Sequence, residues 1–183
     1  HRDLHSFPTR RSSDLGNEPC HHVIYLYNYI KQPWKCQKWI REVASRFYGN
    51  EPSSLSGNDD CGQMSAWYMF NCLGIYPVAP SSNIYNIGSP CVKGLKVQMS
   101  NGKSIEMTTD NWSTSNIYVK ELYINGKKYN KSYLRYGDVQ NGVRIHFVMS
   151  AKPNYKRAVS DESVPPSVSL PGIILKYQRP TNY

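Results

Sequence analysis

The sequence lacks the features that mark several classes of protein. It has no apolar run near 20 residues, so no transmembrane helix is predicted, and no basic start followed by an apolar middle, as a secretory signal has. None of the five cysteines forms a C-x-x-C pair, which argues against zinc-ribbon and thioredoxin-like sites. Lysine and arginine are scattered without a nucleic-acid-binding signature, so the net charge of +9 indicates a solvated surface rather than a nucleic-acid partner.

Apolar residues make up 39% of the 183 residues, which is enough for a folded core. The first 15 residues differ in character from the rest, and the stretch from His5 to Leu15 resembles the translation of a sequencing-adapter oligonucleotide. We therefore expect residues 1–15 to be foreign to the protein and the remainder to be a fragment of a longer chain. The alternative for this segment is a basic disordered arm.

Apolar residues spaced by three and four predict three helices in the first part of the chain. The first covers 22–30, and the second begins with Pro33 in its first turn and stops at Gly49. The third covers 62–73 and stops at Gly74. Three helices with wide apolar faces need partners, which upstream helices of a helical barrel would supply.

After residue 80 the pattern becomes short and alternating, which predicts an antiparallel β unit. The candidate strands are 84–87, 95–99, 104–108, 117–124, 127–129 and 143–149. Three dipeptides predict hairpin turns: Asn101-Gly102, Asn125-Gly126 and Asn141-Gly142. The tail from residue 151 is rich in proline and serine and is expected to be mostly irregular, with 173–175 as a candidate edge strand.

These patterns predict an α+β fold with four parts. They are the foreign segment 1–15, a partial helical barrel at 16–80, an antiparallel β region at 81–150 and an irregular tail at 151–183.

Two turns rich in glycine, proline and asparagine stand before predicted helices. The first reads Gly-Asn-Glu-Pro at 16–19, and the second reads Gly-Asn-Asp-Asp-Cys-Gly-Gln at 57–63. They hold the carboxylates Glu18, Asp59 and Asp60. Glycoside hydrolysis needs two carboxyl groups across the scissile bond, and a hard cation needs clustered oxygen ligands. Side chains in these turns that suit either chemistry are Asn17, Glu18, Asn58 and Asp60.

Asp60 followed by Gln63 predicts a capping box with Asp60 as the N-cap of the third helix. A helix N-terminus favours the ionised carboxylate, which suits a base or a metal ligand better than a proton donor. The structural alternative is equally open here: Asp60 and Asn17 would then serve only as caps.

Two histidines and two cysteines accompany the turns. His21 and His22 are adjacent and therefore point apart, which makes them a poor zinc pair. One can bind a sugar hydroxyl or relay a proton; the alternative is that one packs and the other is exposed. Cys20 and Cys61 either pair in an oxidising compartment or pack as small buried groups, and the sequence leaves both open.

Longer stretches around these turns resemble glycoside hydrolase family 92. The stretches are GNEPCHHVIYLYNY at 16–29, QPWK at 32–35, GNDDCGQMSAWYMF at 57–70, LGIYPV at 73–78 and YNIGSP at 85–90. The resemblance covers roughly residues 16–149. It implies an exo-acting, calcium-dependent, inverting α-mannosidase with an N-terminal β-sandwich and an (α/α) helical-barrel catalytic domain. The chain would then be the C-terminal part of that barrel followed by antiparallel β strands.

The resemblance also implies roles for single residues. Asp60 matches the catalytic base, with Asp59 and Asn58 beside it in the same turn; Asn58 departs from relatives that often have Asp there. Asp60 and Glu18 are the implied calcium ligands. The residues implied to contact mannose are Asn17, Glu18, His21 and His22.

The general acid of the family lies upstream of the first turn, and nothing before Gly16 resembles it. The resemblance therefore implies that the chain alone is inactive. It implies mannose-containing glycans as partners and a secreted, periplasmic or cell-surface location. A non-catalytic carbohydrate-binding β module is the alternative.

Overall fold

The computed structural model describes residues 15–51 and 54–167. Two 3-10 turns, Glu18–Cys20 and Val23–Tyr25, lead into helix α1 (Leu26–Tyr29), which is followed by helix α2 (Pro33–Phe47). A third 3-10 turn, Asp60–Gly62, leads into helix α3 (Gln63–Leu73). Helix α4 (Tyr136–Gln140) comes later in the chain. Two further 3-10 turns cover Pro80–Ser82 and Asp161–Ser163.

The second and third predicted helices are confirmed. Pro33 occupies the first turn of α2, where its missing N–H costs nothing, and the apolar stripe of α2 is buried. Gly74 ends α3 in a left-handed conformation with φ of +75°, as expected for a terminal glycine. The first predicted helix is instead broken into Val23–Tyr25 and α1, and Lys31 with φ of +60° closes it.

The strands form two sheets. Strands β1 (Ile75–Tyr76), β2 (Ile84–Ile87) and β7 (Tyr133–Arg135) make an antiparallel sheet in the order β1-β2-β7. The larger sheet has the order β3-β4-β8-β5-β6. Its strands are β3 (Gly94–Gln98), β4 (Ser104–Asp110), β5 (Tyr118–Ile124), β6 (Lys127–Lys128) and β8 (Val143–Ser150). All six predicted strands are present, while β1 and β7 were not predicted.

The prediction of a wholly antiparallel β unit is wrong at one pairing. β4 and β8 run parallel, with Ile105 opposite Val143 and Thr109 opposite Phe147. The chain leaves β4, forms β5 to β7 and α4, and returns as β8 between β4 and β5. Alternation of apolar residues marks a strand but carries no information about its direction, so this crossover was not readable from the pattern.

Two of the three hairpin predictions are confirmed. Asn125 and Gly126 both have positive φ and join β5 to β6, as a type I′ turn requires. Asn101-Gly102 lies in the turn between β3 and β4. The prediction for Asn141-Gly142 is wrong: this dipeptide ends α4, and Gly142 has φ of +86°. A glycine with positive φ serves a helix end as well as a hairpin.

The helical part packs against the sheets through buried polar contacts. Arg41 of α2 donates to the carbonyl oxygens of Pro90 and Ser113 at 2.7 and 2.9 Å. The Gln37 side-chain oxygen accepts from the Val119 N–H of β5 at 3.1 Å. Asn28 of α1 donates to the Ile87 carbonyl at 2.9 Å. The predicted division near residue 80 is therefore crossed by hydrogen bonds that are shielded from water.

Mixed helices and strands agree with the predicted α+β class, but the described residues contain too few helices to form a barrel. None of those helices is long and apolar enough to cross a membrane. From 151 to 167 the chain has one 3-10 turn and no strand. The candidate strand 173–175, and all but Leu15 of the segment 1–15, lie outside the described residues.

Gly74 offers a test of how tightly α3 packs on the large sheet. A Cβ at Gly74 would lie 2.7 Å from the Phe147 ring, whereas one at Gly126 would meet nothing within 4 Å, and both glycines have positive φ. We expect Gly126→Ala to cost about 1 kcal/mol for its backbone conformation alone. Gly74→Ala should cost a further 1–3 kcal/mol or so, because the ring must move. Urea unfolding of the 183-residue chain measures both, and equal losses would contradict this packing.

Candidate active site

The two glycine-rich turns lie in direct contact. A Cβ placed on Gly57 would overlap the side-chain amide of Asn17, and one on Gly16 would come within 2.9 Å of Ser56 Oγ. Backbone and amide can approach this closely only because both positions are glycine. The structure therefore brings together the two segments that the sequence separates by about 40 positions.

His21 links the two turns through the hydrogen bonds of its buried ring. Its side chain is 1% exposed, and Nε2 lies 3.0 Å from the Gly16 carbonyl and 3.0 Å from the Tyr48 hydroxyl. Nδ1 lies 3.3 Å from Gln63 Nε2, which also donates to the Tyr76 hydroxyl at 3.1 Å. With the Gln63 amide in this orientation, Nδ1 accepts and Nε2 carries the proton, so His21 is a neutral link.

Stacked rings form the floor under this link. The His21 ring stacks on Trp67 of α3 with centroids 4.7 Å apart. Tyr48 stacks on Trp67 at 5.1 Å and on Tyr68 at 5.3 Å. Burial lowers the pKa of His21 to about 4, with the Gly16 carbonyl opposing the shift and His22 adding to it. Burial against these rings thus keeps the imidazole of His21 uncharged.

Glu18 and Asp59 act on two tyrosines at the base of the turns. Burial raises the pKa of Tyr76, the bond from Gln63 opposes this rise, and the Glu18 carboxylate adds to it. Burial likewise raises the pKa of Tyr48, and Tyr76 and then Asp59 add to that rise. Glu18 therefore stands within electrostatic reach of the Tyr76 phenol, and Asp59 within reach of the Tyr48 phenol.

The predicted capping box is wrong, because Asp59 rather than Asp60 accepts hydrogen bonds from the first turn of α3. Asp59 accepts from the Ser65 N–H at 3.0 Å and from the Ser65 hydroxyl at 2.6 Å. These bonds lower the pKa of Asp59. The residue before α3 is Gly62 with φ of +77°, a left-handed position that gives α3 no side-chain cap. The sequence spacing fits a cap, but the left-handed pair Cys61 and Gly62 moves Asp60 out of position.

Asp60 is exposed, and its carboxylate makes no hydrogen bond or ion pair with any residue the structure describes. Glu18 and Asn58 are also exposed. Asn17 caps the 3-10 turn Glu18–Cys20 by accepting from the Glu18 N–H at 2.9 Å. Its amide nitrogen has no partner in the described part of the chain and stays available.

The histidine pair divides as the structural alternative predicts. His21 is packed and His22 is exposed. Only His22 can therefore reach a ligand directly, and His21 acts through the turns that it holds. All five cysteines are free thiols; Cys20 is half-buried and Cys61 is exposed, so neither pairs.

The donors at this surface suit a hard cation in kind but are few. Glu18, Asp60 and the amides offer oxygen atoms, as calcium prefers. Within residues 15–51 and 54–167, however, no three His, Cys, Asp or Glu side chains cluster closely enough to hold a metal. Calcium takes six to eight oxygens, so these residues alone do not make a complete site.

Three residues of the site were not predicted from the sequence: Tyr48, Tyr76 and the linking role of Gln63. Gln63 and Tyr76 both lie in stretches that carry the family resemblance, GNDDCGQ and LGIYPV, which was a usable signal. Tyr48 had none, because it follows α2 as an ordinary aromatic residue, and its hydrogen bonds to His21 and Gly16 are visible only in the folded chain.

Comparison with known proteins identifies the family. The family model described as the glycosyl hydrolase family 92 catalytic domain matches residues 5–151. The chain belongs to this family. It is 75% identical to a family 92 alpha-mannosidase from Bacteroides thetaiotaomicron, whose structure in complex with mannoimidazole superposes with a TM-score of 0.86 over 89% of this chain and 21% of that one.

Two further relatives of the family 92 chain are more distant. An inverting mannosidase of family 92 from Bacteroides thetaiotaomicron is 34% identical, with a TM-score of 0.75, over 82% of this chain and 20% of that one. A protein of Arthroderma benhamiae called an uncharacterized secreted glycosidase is 25% identical over 84% of this chain and 20% of its own length. The chain spans about a fifth of each of these relatives.

The buried histidine predicts how stability depends on pH. The pKa of His21 is about 4 in the folded chain and near 6.5 when unfolded, so only the unfolded state takes up a proton between these values. Stability should be complete above pH 6.5 and fall by about 3 kcal/mol as the pH drops to 4. Urea unfolding at pH 7 and pH 4.5 measures this loss.

His22 supplies the matched control for that measurement. His22→Gln removes an exposed imidazole one position away and should leave most of the pH dependence in place. His21→Gln should remove it. A pH dependence that survives in His21→Gln would show that another group is responsible.

Proposed function

We propose that this chain carries the base side of the active site of an exo-acting, inverting α-mannosidase that removes terminal α-linked mannose from glycans. The observation that carries the proposal is the state of Asp60. It is the one carboxylate of the second turn without a structural partner among the described residues, and it stands on a turn packed against the turn that bears Glu18. The family and the 75% identical alpha-mannosidase support the substrate class.

Asp60 acts as the general base in this proposal. An exposed carboxylate with all its acceptor sites free can take a proton from a water molecule that attacks the anomeric carbon. Asp59 cannot do so as readily, because Ser65 already occupies both of its oxygens. Asn58 stands next to this pair and orients water or sugar through its amide.

The general acid is supplied by a carboxyl group outside this chain. Inverting glycosidases place acid and base about 6.5–9.5 Å apart so that water fits between the base and the sugar. Without the acid nothing protonates the departing oxygen, so the 183-residue chain by itself is expected to be inactive.

The first turn binds the terminal mannose. Glu18, the free amide nitrogen of Asn17 and the exposed ring of His22 offer acceptors and donors for hydroxyl groups. His21 contributes by holding this turn on the second one through Gly16, Tyr48 and Gln63. The structure of the 75% identical relative in complex with mannoimidazole supports a mannose-shaped subsite.

Calcium is proposed as the cofactor, with Asp60 and Glu18 among its ligands. The proposal rests on the family resemblance and on the oxygen-only donor set. When bound, the ion would supply positive charge that orients sugar hydroxyls. Because two carboxylates do not complete its shell, the remaining oxygens come from substrate, water or the rest of the protein.

A secreted, periplasmic or cell-surface location fits a glycan substrate, and the relative from Arthroderma benhamiae is named as secreted. A separate carbohydrate-binding β module is not favoured. The β region shares buried hydrogen bonds with α1, which follows the first turn, and with α2, as at Asn28 with Ile87 and at Gln37 with Val119.

The decisive experiment compares two neighbouring aspartates in the full-length protein, assayed for mannose release from an α-linked mannobiose. Asp60→Asn should lower turnover by about 10²–10⁴-fold, because the base is lost while the fold is kept. Asp59→Asn is the matched control: its amide oxygen can still accept from Ser65, so turnover should fall less than tenfold. Full activity of Asp60→Asn would remove Asp60 from the base role.

The metal is tested separately on the same protein. Treatment with a chelator should abolish mannose release, and added calcium, but not magnesium, should restore it, because magnesium demands a smaller and stricter shell. Release that is indifferent to the chelator would contradict the calcium proposal and leave the role of Asp60 standing.

A further inference from the structure

Arg157 is buried outside the two turns, and its guanidinium has few partners among the described residues. It follows β8, is 5% exposed, and donates one hydrogen bond, from Nη2 to the Lys131 carbonyl at 3.1 Å. Its Nε and Nη1 atoms are buried and have no partner among the described residues. Burial lowers the pKa of this guanidinium to about 10, with only Tyr129 opposing the shift. No carboxylate of residues 15–51 and 54–167 contributes to this shift.

Arg157 lines a cavity of about 330 Å³ whose walls are mainly basic and amide side chains. The lining residues are Lys120, Glu121, Leu122, Lys128, Tyr129, Asn130, Asn154, Lys156 and Arg157. The one carboxylate, Glu121, is already engaged: it accepts from Tyr123 at 2.6 Å and from Lys128 at 3.1 Å. Lys120, Lys156 and Arg157 line the cavity, and none of them forms an ion pair with an acidic side chain in the described part of the chain.

The cavity walls are held in place before any ligand arrives. Asn154 donates to the Lys120 carbonyl at 2.9 Å and accepts from the Lys156 N–H at 3.0 Å. Asn130 accepts from the Ala158 N–H at 3.2 Å. These bonds tie the loop that carries Arg157 to β5 and to the segment after β6, so the basic groups are positioned by the fold.

A buried cation without a counter-charge costs several kcal/mol, and the planar guanidinium is shaped to meet two oxygens at once. We propose that this cavity binds a small oxyanion, with Arg157 as its main ligand and Lys120 and Lys156 at its rim. Phosphate, sulfate and carboxylate groups share the required chemistry. The site is separate from the mannosidase proposal and shares no residue with the two turns.

The proposal is tested by calorimetric titration of the 183-residue chain with inorganic phosphate, acetate and mannose 6-phosphate, at an ionic strength held constant with sodium chloride. Phosphate should bind saturably with one site per chain. Tighter binding of mannose 6-phosphate than of phosphate and of unmodified mannose would identify a glycan-borne anion, and equal binding of the two phosphates would identify a free one.

Variants assign the binding to Arg157. Arg157→Met should weaken phosphate binding at least tenfold, and in phosphate-free buffer it should raise the unfolding midpoint, because an unpaired buried charge is gone. Lys120→Gln and Lys156→Gln, both at exposed positions, should each weaken binding severalfold with the fold intact, which keeps the test valid if Arg157→Met does not fold. Lys152→Gln removes an exposed charge outside the cavity and should change nothing.

Three results would overturn the proposal. One is the absence of saturable binding for every oxyanion tested. Another is an equal response to chloride, which would indicate screening rather than a site. The third is phosphate affinity that is unchanged in Lys120→Gln, Lys156→Gln and Arg157→Met.

Discussion

The contact between the two glycine-rich turns is the constraint on which the rest of this site depends. It brings Asn17 against Gly57, where any side chain would collide, and it is held by His21 from beneath. The ring of that histidine is buried and its hydrogen bonds are buried or partly buried, so they are costly to lose. The exposed carboxylates of Glu18 and Asp60 can therefore be held in position without forming structural hydrogen bonds of their own.

Structural and chemical duties are separated along the second turn. Asp59 anchors the turn to α3 through Ser65, and the next residue, Asp60, is left free by the left-handed conformations of Cys61 and Gly62. A positive φ at Cys61 is unfavourable for a side chain with a Cβ, so the fold accepts local strain at this point. Strain of this kind persists where surrounding packing over-determines it, and here it separates an anchoring carboxylate from an available one.

How far the sequence could predict this molecule depends on the range of the interaction. Local rules sufficed for α2 with Pro33, for α3 with Gly74 and for the Asn125-Gly126 turn, because each reports on its own few residues. The parallel pairing of β4 with β8 was beyond those rules, since the strand order is set by a crossover through α4. The capping box failed for a similar reason. Spacing alone cannot predict that Asp59 accepts a hydrogen bond from Ser65. The contact of the Tyr48 hydroxyl with Met64 is likewise visible only in three dimensions.

Arg41 and Arg157, which are buried in the described part of the chain, show why the net positive charge does not lie entirely on the surface. Arg41 donates to the carbonyls of Pro90 and Ser113 and lies over the Trp112 ring at 5.5 Å, so packing and hydrogen bonds answer its charge. Arg157 is buried to a similar degree but has one carbonyl partner and no ring beneath it in the described residues. Arg41 and Arg157 thus differ in the partners that the described residues give their guanidinium groups. That difference makes Arg41 a structural tie between helix and sheet, and makes Arg157 a ligand that still needs an anion.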